Sequence, residues 1–182
     1  MTDEAALPDP EAGPPRIRIG VLADTHGYLD PAVIELFAGV DHIIHAGDIM
    51  DASILNALAQ VAPLTAVSGN LDEGELAALP REVSGQVGGV RFVVGHKRKR
   101  LFKKLAAGKL ADAGSAAPDL IVCGHEHAPS ASWVDGSLYL NPGTASAPDE
   151  EDDAATVAVV ESGAAGLSVR FIPLKRRQQT LV

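Results

Sequence analysis

The chain holds a single cysteine, Cys123, so no internal disulfide can form and nothing in the sequence calls for an oxidising compartment. It also lacks any apolar stretch approaching the ~18 residues of a membrane-spanning helix, because Gly, Asp, His or Pro interrupts every hydrophobic run. Basic residues are in deficit. Fifteen Lys and Arg stand against 24 Asp and Glu, and the net charge of -9 argues against a surface-wide nucleic-acid platform, although a local basic patch stays open. Residues 1–15 carry acids and prolines where a secretory signal would place basic residues and then an apolar run, and they read as a disordered leader. No internal repeat is visible. The expectation is a soluble, cytoplasmic protein with no membrane partner.

What is present is enough hydrophobic matter for a core. Of 182 residues, 46% are hydrophobic, and the length suggests one domain, over residues 16–173, followed by a tail at 174–182. Ile17–Ala23 reads as a buried strand running into Asp-Thr-His. Asp30–Phe37 reads as a helix, with Asp30 as N-cap, Pro31 in the first turn, and Val33, Ile34 and Phe37 on one face. His42–His45 and Leu64–Val67 are the next strands, separated by a helix over Ala52–Val61 that Pro63 ends. The second half changes texture. Glu82–Val87 and Val90–Val94 flank Gly88-Gly89 as a hairpin, and Asp135-Gly136 turns a second hairpin between Ser132–Val134 and Ser137–Leu140. Lys99–Ala107 is helical, Leu120–Cys123 is a strand, and Thr156–Glu161 and Leu167–Ile172 close the chain as strands around an acidic loop at Asp149–Asp153.

Five apolar runs end in a short polar signature: Asp24-Thr-His26, Gly47-Asp48, Gly69-Asn70, Gly95-His96 and Gly124-His125-Glu-His127. In sheets with helical crossovers, ligand sites gather at the carboxyl ends of strands, so these tips can meet in one crevice. Histidine nitrogens, aspartate oxygens and one amide oxygen suit divalent Mn, Fe, Co, Ni or Zn, with Mn first among them. Seven side chains exceed what one ion uses once water or substrate also binds. Two ions sharing a bridging carboxylate, naturally Asp48, are the economical arrangement. Such a pair, roughly 3.5–4 Å apart, can hold a hydroxide for in-line attack on phosphorus, which makes phosphoester hydrolysis the expected reaction.

In this order, D-x-H, GD, GN-x-D, GH and GH-x-H resemble the motifs of the calcineurin-like metallophosphoesterases, closest to their small single-domain phosphodiesterase branch. The resemblance runs from Ile17 to Ile172, and Asn141-Pro142-Gly143-Thr144 is similar to that branch's Asn-Pro-Gly-Ser turn. It implies an α/β fold, a four-layer αββα sandwich of two mixed β-sheets flanked by helices. It also implies that Asp24, His26, Asp48 and His127 hold one metal ion and that Asp48, Asn70, His96 and His125 hold the other. Asp48, Asn70 and His96 are expected to take part in catalysis as well. The expected substrate is a small-molecule phosphodiester, with nucleotides in scope; nucleic acid and a homo-oligomeric state stay open. A phosphomonoesterase or pyrophosphatase is a competing expectation. So is a catalytically weak protein-binding scaffold, since the resemblance extends to a trafficking-complex subunit.

Two departures stand out. Many relatives carry His after the Gly-Asn pair, where it assists the leaving group; here Leu71 takes that place, which predicts slower turnover and a preference for activated leaving groups. Lys97 follows His96 where relatives often have Gly, and it opens the run Lys97-Arg98-Lys99-Arg100, with Lys103 and Lys104 beyond. That run reads either as a solvated helix face or as a grip on substrate phosphate, with Arg98 and Arg100 as its natural members. His42 and His45 lie on opposite faces of their strand and read as core or surface residues, with His45 placed to brace the site. Asp72 reads as a turn residue or an acceptor orienting a ligand, Cys123 as a small buried hydrophobe, and Trp133 and Tyr139 as sheet packing or a stack for a substrate base.

Overall fold

The computed structural model describes residues 16–108, 117–146 and 155–174. The expected leader, the acidic loop and the tail beyond Leu174 lie outside the described residues. Leu174 itself, assigned to the tail from the sequence, is buried, and its N–H donates to the Ala155 carbonyl at 2.7 Å.

Among the described residues, ten strands form two five-stranded sheets. The first holds β1 (Arg18–Leu22), β2 (His42–His45), β3 (Leu64–Ala66), β9 (Thr156–Gly163) and β10 (Gly166–Pro173), in the order β10-β9-β1-β2-β3. The second holds β4 (Glu82–Val87), β5 (Val90–Gly95), β6 (Leu120–Val122), β7 (Ser130–Val134) and β8 (Ser137–Asn141), in the order β4-β5-β6-β8-β7. β1, β2 and β3 run parallel, as do β5, β6 and β8, while β9, β4 and β7 pair antiparallel with their neighbours. Each sheet therefore has three adjacent parallel strands that point their carboxyl ends the same way.

Side-chain alternation builds the layers. Ile19 and Val21 of β1, Ile44 of β2, and Ala158 and Val160 of β9 face Phe92, Val94, Leu120, Val122, Leu138 and Leu140 of the second sheet, forming the core between the sheets. The opposite face of the first sheet packs against α1 (Pro31–Leu36) and α2 (Ala52–Ala59), through Leu22, Val33, Phe37, Ile43, Ile54 and Leu58. The outer face of the second sheet packs against α4 (Arg98–Ala106) through Val93, Leu101, Ile121, Cys123 and Tyr139. Three hydrophobic seams make four layers, with burial of each large aliphatic side chain contributing about 1.5–3 kcal/mol.

Helix ends follow the sequence signals. The Asp30 carboxylate accepts from the Ala32 N–H at 2.9 Å and Asp51 from the Ser53 N–H at 2.8 Å, so both helices of the first sheet are capped. The short α3 (Gly74–Ala77) has no counterpart in the sequence reading, because four residues are too few to display a helical period. α1 reaches the sheet closely because β1 carries no side chain at Gly20: a methyl there would stand 2.8 Å from Phe37 Cδ2. Gly20→Ala is therefore expected to destabilise the fold by about 1–3 kcal/mol through overpacking. Urea denaturation would check this, with an unchanged midpoint as the contrary result.

Candidate metal centre

The carboxyl ends of β1, β2, β3, β5 and β6 meet at one edge of the sandwich, and backbone hydrogen bonds lock their tips together. The Asp24 N–H donates to the Gly47 carbonyl at 3.0 Å, the His26 N–H to Asp48 at 3.1 Å, and the Gly124 N–H to His96 at 3.1 Å. The last of these joins neighbouring tips within the second sheet, while the His125 N–H crosses to the Asp24 carboxylate of the first at 2.9 Å. Close approach requires bare backbone at Gly69, where a Cβ would fall 2.0 Å from Asp48 Oδ1, and at Gly124, where it would fall 2.8 Å from Asp24 Oδ2. Among the described residues, seven that are not glycine have positive φ, and five of these are sequence-predicted ligands: Asp24, His26, Asp48, His125 and His127. Left-handed backbone costs such residues roughly 1–2 kcal/mol each, and its concentration here is the mark of a functional site.

The side chains fall into two groups, Asp24 with His26 and His127, and Asp48 with His96 and His125, each close enough to hold one metal ion. In the first, the Nε2 atoms of His26 and His127 are 3.2 Å apart, and Asp24 Oδ1 lies 3.9 and 3.4 Å from them. In the second, His96 Nε2 lies 3.2 Å from Asp48 Oδ2 and also 4.0 Å from Asp24 Oδ1, which links the groups. Asn70 is exposed at the β3 tip, beside the Leu71 N–H that donates to Asp48 Oδ1 at 2.8 Å. His96 Nδ1 donates to the Ala46 carbonyl at 2.8 Å, which leaves Nε2 available to a metal ion.

These groups fit a cation. Asp24 Oδ1 and His96 Nε2 are buried without a hydrogen-bond partner, an expensive arrangement for polar atoms unless a metal lies between them. Burial pushes the Asp24 carboxyl up to about 7, although His96 and the His125 N–H oppose the rise. Asp48 also suffers from burial, but His96 and the Leu71 N–H bring it down to about 2. Burial lowers both His125 and His127, helped by neighbouring imidazoles, and so favours the neutral ring a metal needs. His96 moves the other way. Burial works against its charge, but Asp48 and Asp24 outweigh that and raise it.

Two residues outside the ligand set hold the tips in register. The buried Asp72 carboxylate accepts from the Ile49 and Met50 N–H groups at 2.7 and 2.8 Å through Oδ1, and from Gly69 at 2.7 Å through Oδ2, clamping the β2 tip to the β3 tip. His45, fully buried, accepts the Gly47 N–H on Nδ1 at 3.2 Å and meets Thr25 Oγ1 with Nε2 at 3.1 Å, while Thr25 donates to the Ile49 carbonyl. Both were legible as residues worth watching, but neither partner set was. Asn141 anchors the β6 tip by donating to the Gly124 carbonyl at 3.2 Å. His42 stays away from the site, with Thr65 Oγ1 at 2.9 Å.

The structure narrows alternatives that the sequence left open. Arg98, exposed on the helix face, holds its guanidinium 4.6 Å from the Tyr139 ring centroid. Arg100 pairs with Glu82, as does Lys104 at 2.6 Å. Trp133 is 59% exposed on edge strand β7, beside a cavity of about 330 Å³ lined by the hairpin turns at Gly89, Gly136 and Gly163, at the other end of the strands from the crevice. It cannot stack on a base bound there. Tyr139 is buried against α4.

Comparison with known proteins agrees with this architecture. Residues 17–164 match the calcineurin-like phosphoesterase superfamily domain. A probable metallophosphoesterase of Methanocaldococcus jannaschii is 33% identical over 141 residues, which cover 71% of this chain and 69% of that protein. An archaeal phosphodiesterase superposes with a TM-score of 0.68 at 21% identity, over 87% of this chain and 100% of its own. Vacuolar protein sorting 29 of Cryptosporidium parvum superposes at 0.66 with 17% identity, over 88% and 99% of the two chains, a likeness of fold. The chain belongs to the calcineurin-like phosphoesterase superfamily, a family of divalent-metal phosphoesterases.

Two outcomes follow. Asp72→Asn keeps one acceptor oxygen and gives up the other, so Mn affinity measured by calorimetry should fall roughly 10–100-fold while circular dichroism stays unchanged. His45 is held neutral, its pKa pushed down to about 3 by burial, whereas in the unfolded chain it takes a proton below about 6.5. The unfolded state therefore binds more protons between these values, and stability falls as pH drops through that window. Asp24 acts with the opposite sign in metal-free protein, since its raised carboxyl binds a proton in the folded state first. The difference between wild type and His45→Gln isolates the histidine: urea midpoints at pH 7 and 4.5, with chelator present, should drop less in the variant.

Proposed function

We propose that this chain hydrolyses phosphodiesters with two divalent ions, Mn preferred, one held by Asp24, His26, Asp48 and His127 and the other by Asp48, Asn70, His96 and His125. The observation that carries the reading is the pair of Asp/His groups facing one crevice, with Asp24 Oδ1 and His96 Nε2 buried without a hydrogen-bond partner. Bound at such a site, two ions activate water and neutralise charge on phosphoryl oxygens. Around them the chain supplies fixed geometry: His96 is oriented by Ala46, Asp48 by the Leu71 N–H, and Asp24 by the His125 N–H.

Preference for a diester rests on the rim. Met50 and Leu71 are 50% and 47% exposed beside Asp48 and Asn70, an apolar border suited to a second ester arm. The archaeal phosphodiesterase of similar fold supports the same choice. Leu71 cannot donate a proton, so a departing alkoxide lacks the side-chain donor that many relatives place at this position. Aryloxides, which leave without one, are the better substrates.

The exposed Trp133 at the far end of the sandwich favours a second reading, a protein-binding scaffold, which the likeness to Vacuolar protein sorting 29 supports. Hydrolysis of bis(p-nitrophenyl) phosphate by wild type and Asp48→Ala, with and without Mn, separates the two, alongside elemental analysis. Mn should stimulate the wild type, and Asp48→Ala should lose roughly a hundredfold or more; equal rates in all four samples would leave the scaffold standing. A p-nitrophenyl monoester run beside the diester decides between monoesterase and diesterase. Leu71→His should accelerate an alkyl diester by about tenfold or more while changing the aryl one less; equal effects on both would remove Leu71 from the account.

A further inference from the structure

The basic run divides once its partners are known. Arg98 lies over Tyr139 and Phe102, and Arg100 and Lys104 neutralise Glu82. Lys97 is different. It directly follows His96, occupies the N-cap position of α4 without a capping hydrogen bond, is exposed, and has no ion-pair partner among the described residues. Lys97 is bonded directly to His96, whose ring packs 5.1 Å from that of His125, so its flexible stem can bring an unspent charge to the flank of that group.

The other flank has the opposite sign. Next to His26, Gly27 and Met50 line a cavity of about 560 Å³ whose remaining wall includes Asp51, Glu73 and Glu75. A substrate arm bearing negative charge is repelled from that side and attracted to the Lys97 side. In a chain with a net charge of -9, an unpaired cation beside the centre sets the direction in which an anionic substrate lies.

Building on the phosphodiester reading, we infer that Lys97 is a specificity-determining residue that binds a second anionic group, a phosphate or carboxylate, carried on one arm of the diester. The substrate class this selects is a phosphodiester with an additional phosphate on its alcohol, as in a phosphorylated nucleotide. The cleaved bond and the metal ligands are the same as for a neutral diester; Lys97 acts on binding and orientation.

Two p-nitrophenyl diesters of thymidine test this, one with a free 3′-hydroxyl and one with a 3′-phosphate. Wild type should show a KM about fivefold lower for the 3′-phosphorylated compound, the size of a partly screened ion pair. Lys97→Gln should bring the two KM values together, Lys97→Glu should invert their order, and Lys99→Gln should keep the wild-type ratio. Calorimetry with thymidine 3′,5′-bisphosphate and thymidine 5′-phosphate on metal-free protein gives a readout independent of turnover, in which the bisphosphate advantage should depend on Lys97. A wild-type ratio near one in both measurements, or a ratio unchanged in Lys97→Gln, overturns the proposal. If wild type with Mn cleaves neither compound, the phosphodiester reading fails, and the calorimetry still judges Lys97.

Discussion

The buried Asp24 carboxylate is the constraint around which the rest of the site is arranged. One oxygen accepts the His125 N–H across the sandwich, and the other, without a hydrogen-bond partner, faces His26, His96 and His127. Its backbone is held as firmly: the N–H donates to Gly47, and the carbonyl accepts from the Thr144 hydroxyl and the Ser146 N–H. A desolvated carboxylate this short of partners is tolerable if protonated or matched by a cation, and the histidines converging on it make the cation the better match. Because Asp24 contacts tips from both sheets, whatever satisfies it also fastens the sheets together at this edge.

That demand explains the unusual backbone. Five ligand candidates adopt positive φ because the chain must turn sharply after each strand while presenting a side chain inward, and strands on either side of the crevice leave little space for a wider loop. Gly69 and Gly124 give way where carboxylate oxygens press against main chain. Asp72 and His45 then hold these turns from behind, each through hydrogen bonds to backbone rather than to ligands. Strain in the turns and the anchors behind them belong to one structure, in which stability at the tips is exchanged for fixed geometry at the centre.

Much of this was legible in the sequence because the signals were local. Apolar runs closed by Gly-Asp, Gly-Asn or Gly-His mark a strand, its end and a polar tip within a few residues, and His125-x-His127 on one strand end carries its own geometry. The hairpins at Gly88-Gly89 and Asp135-Gly136 were equally local. What escaped were relations across the chain. Asp72 reaches back 23 residues to Ile49, and Glu82 collects Arg100 and Lys104 from 18 and 22 residues away, so two of the six residues of an apparently free basic run were already committed. Trp133 has the sequence context of a packed strand residue, and only the strand order, with β7 at an edge, leaves it exposed.

The same distinction bears on substrate choice. The candidate ligands come from strand tips that the fold fixes. Residues that surround them come from loops and helix starts: Leu71 after β3, Met50 after β2, Lys97 at the start of α4, Glu73 and Glu75 at α3. None of these is needed to build the core, and all of them border the crevice or its flanks. On the proposed reading, a centre ringed by an apolar border with a basic residue on one side and carboxylates on the other distinguishes its substrates by the arms they carry. Specificity would then reside in the rim, in residues that the core does not need.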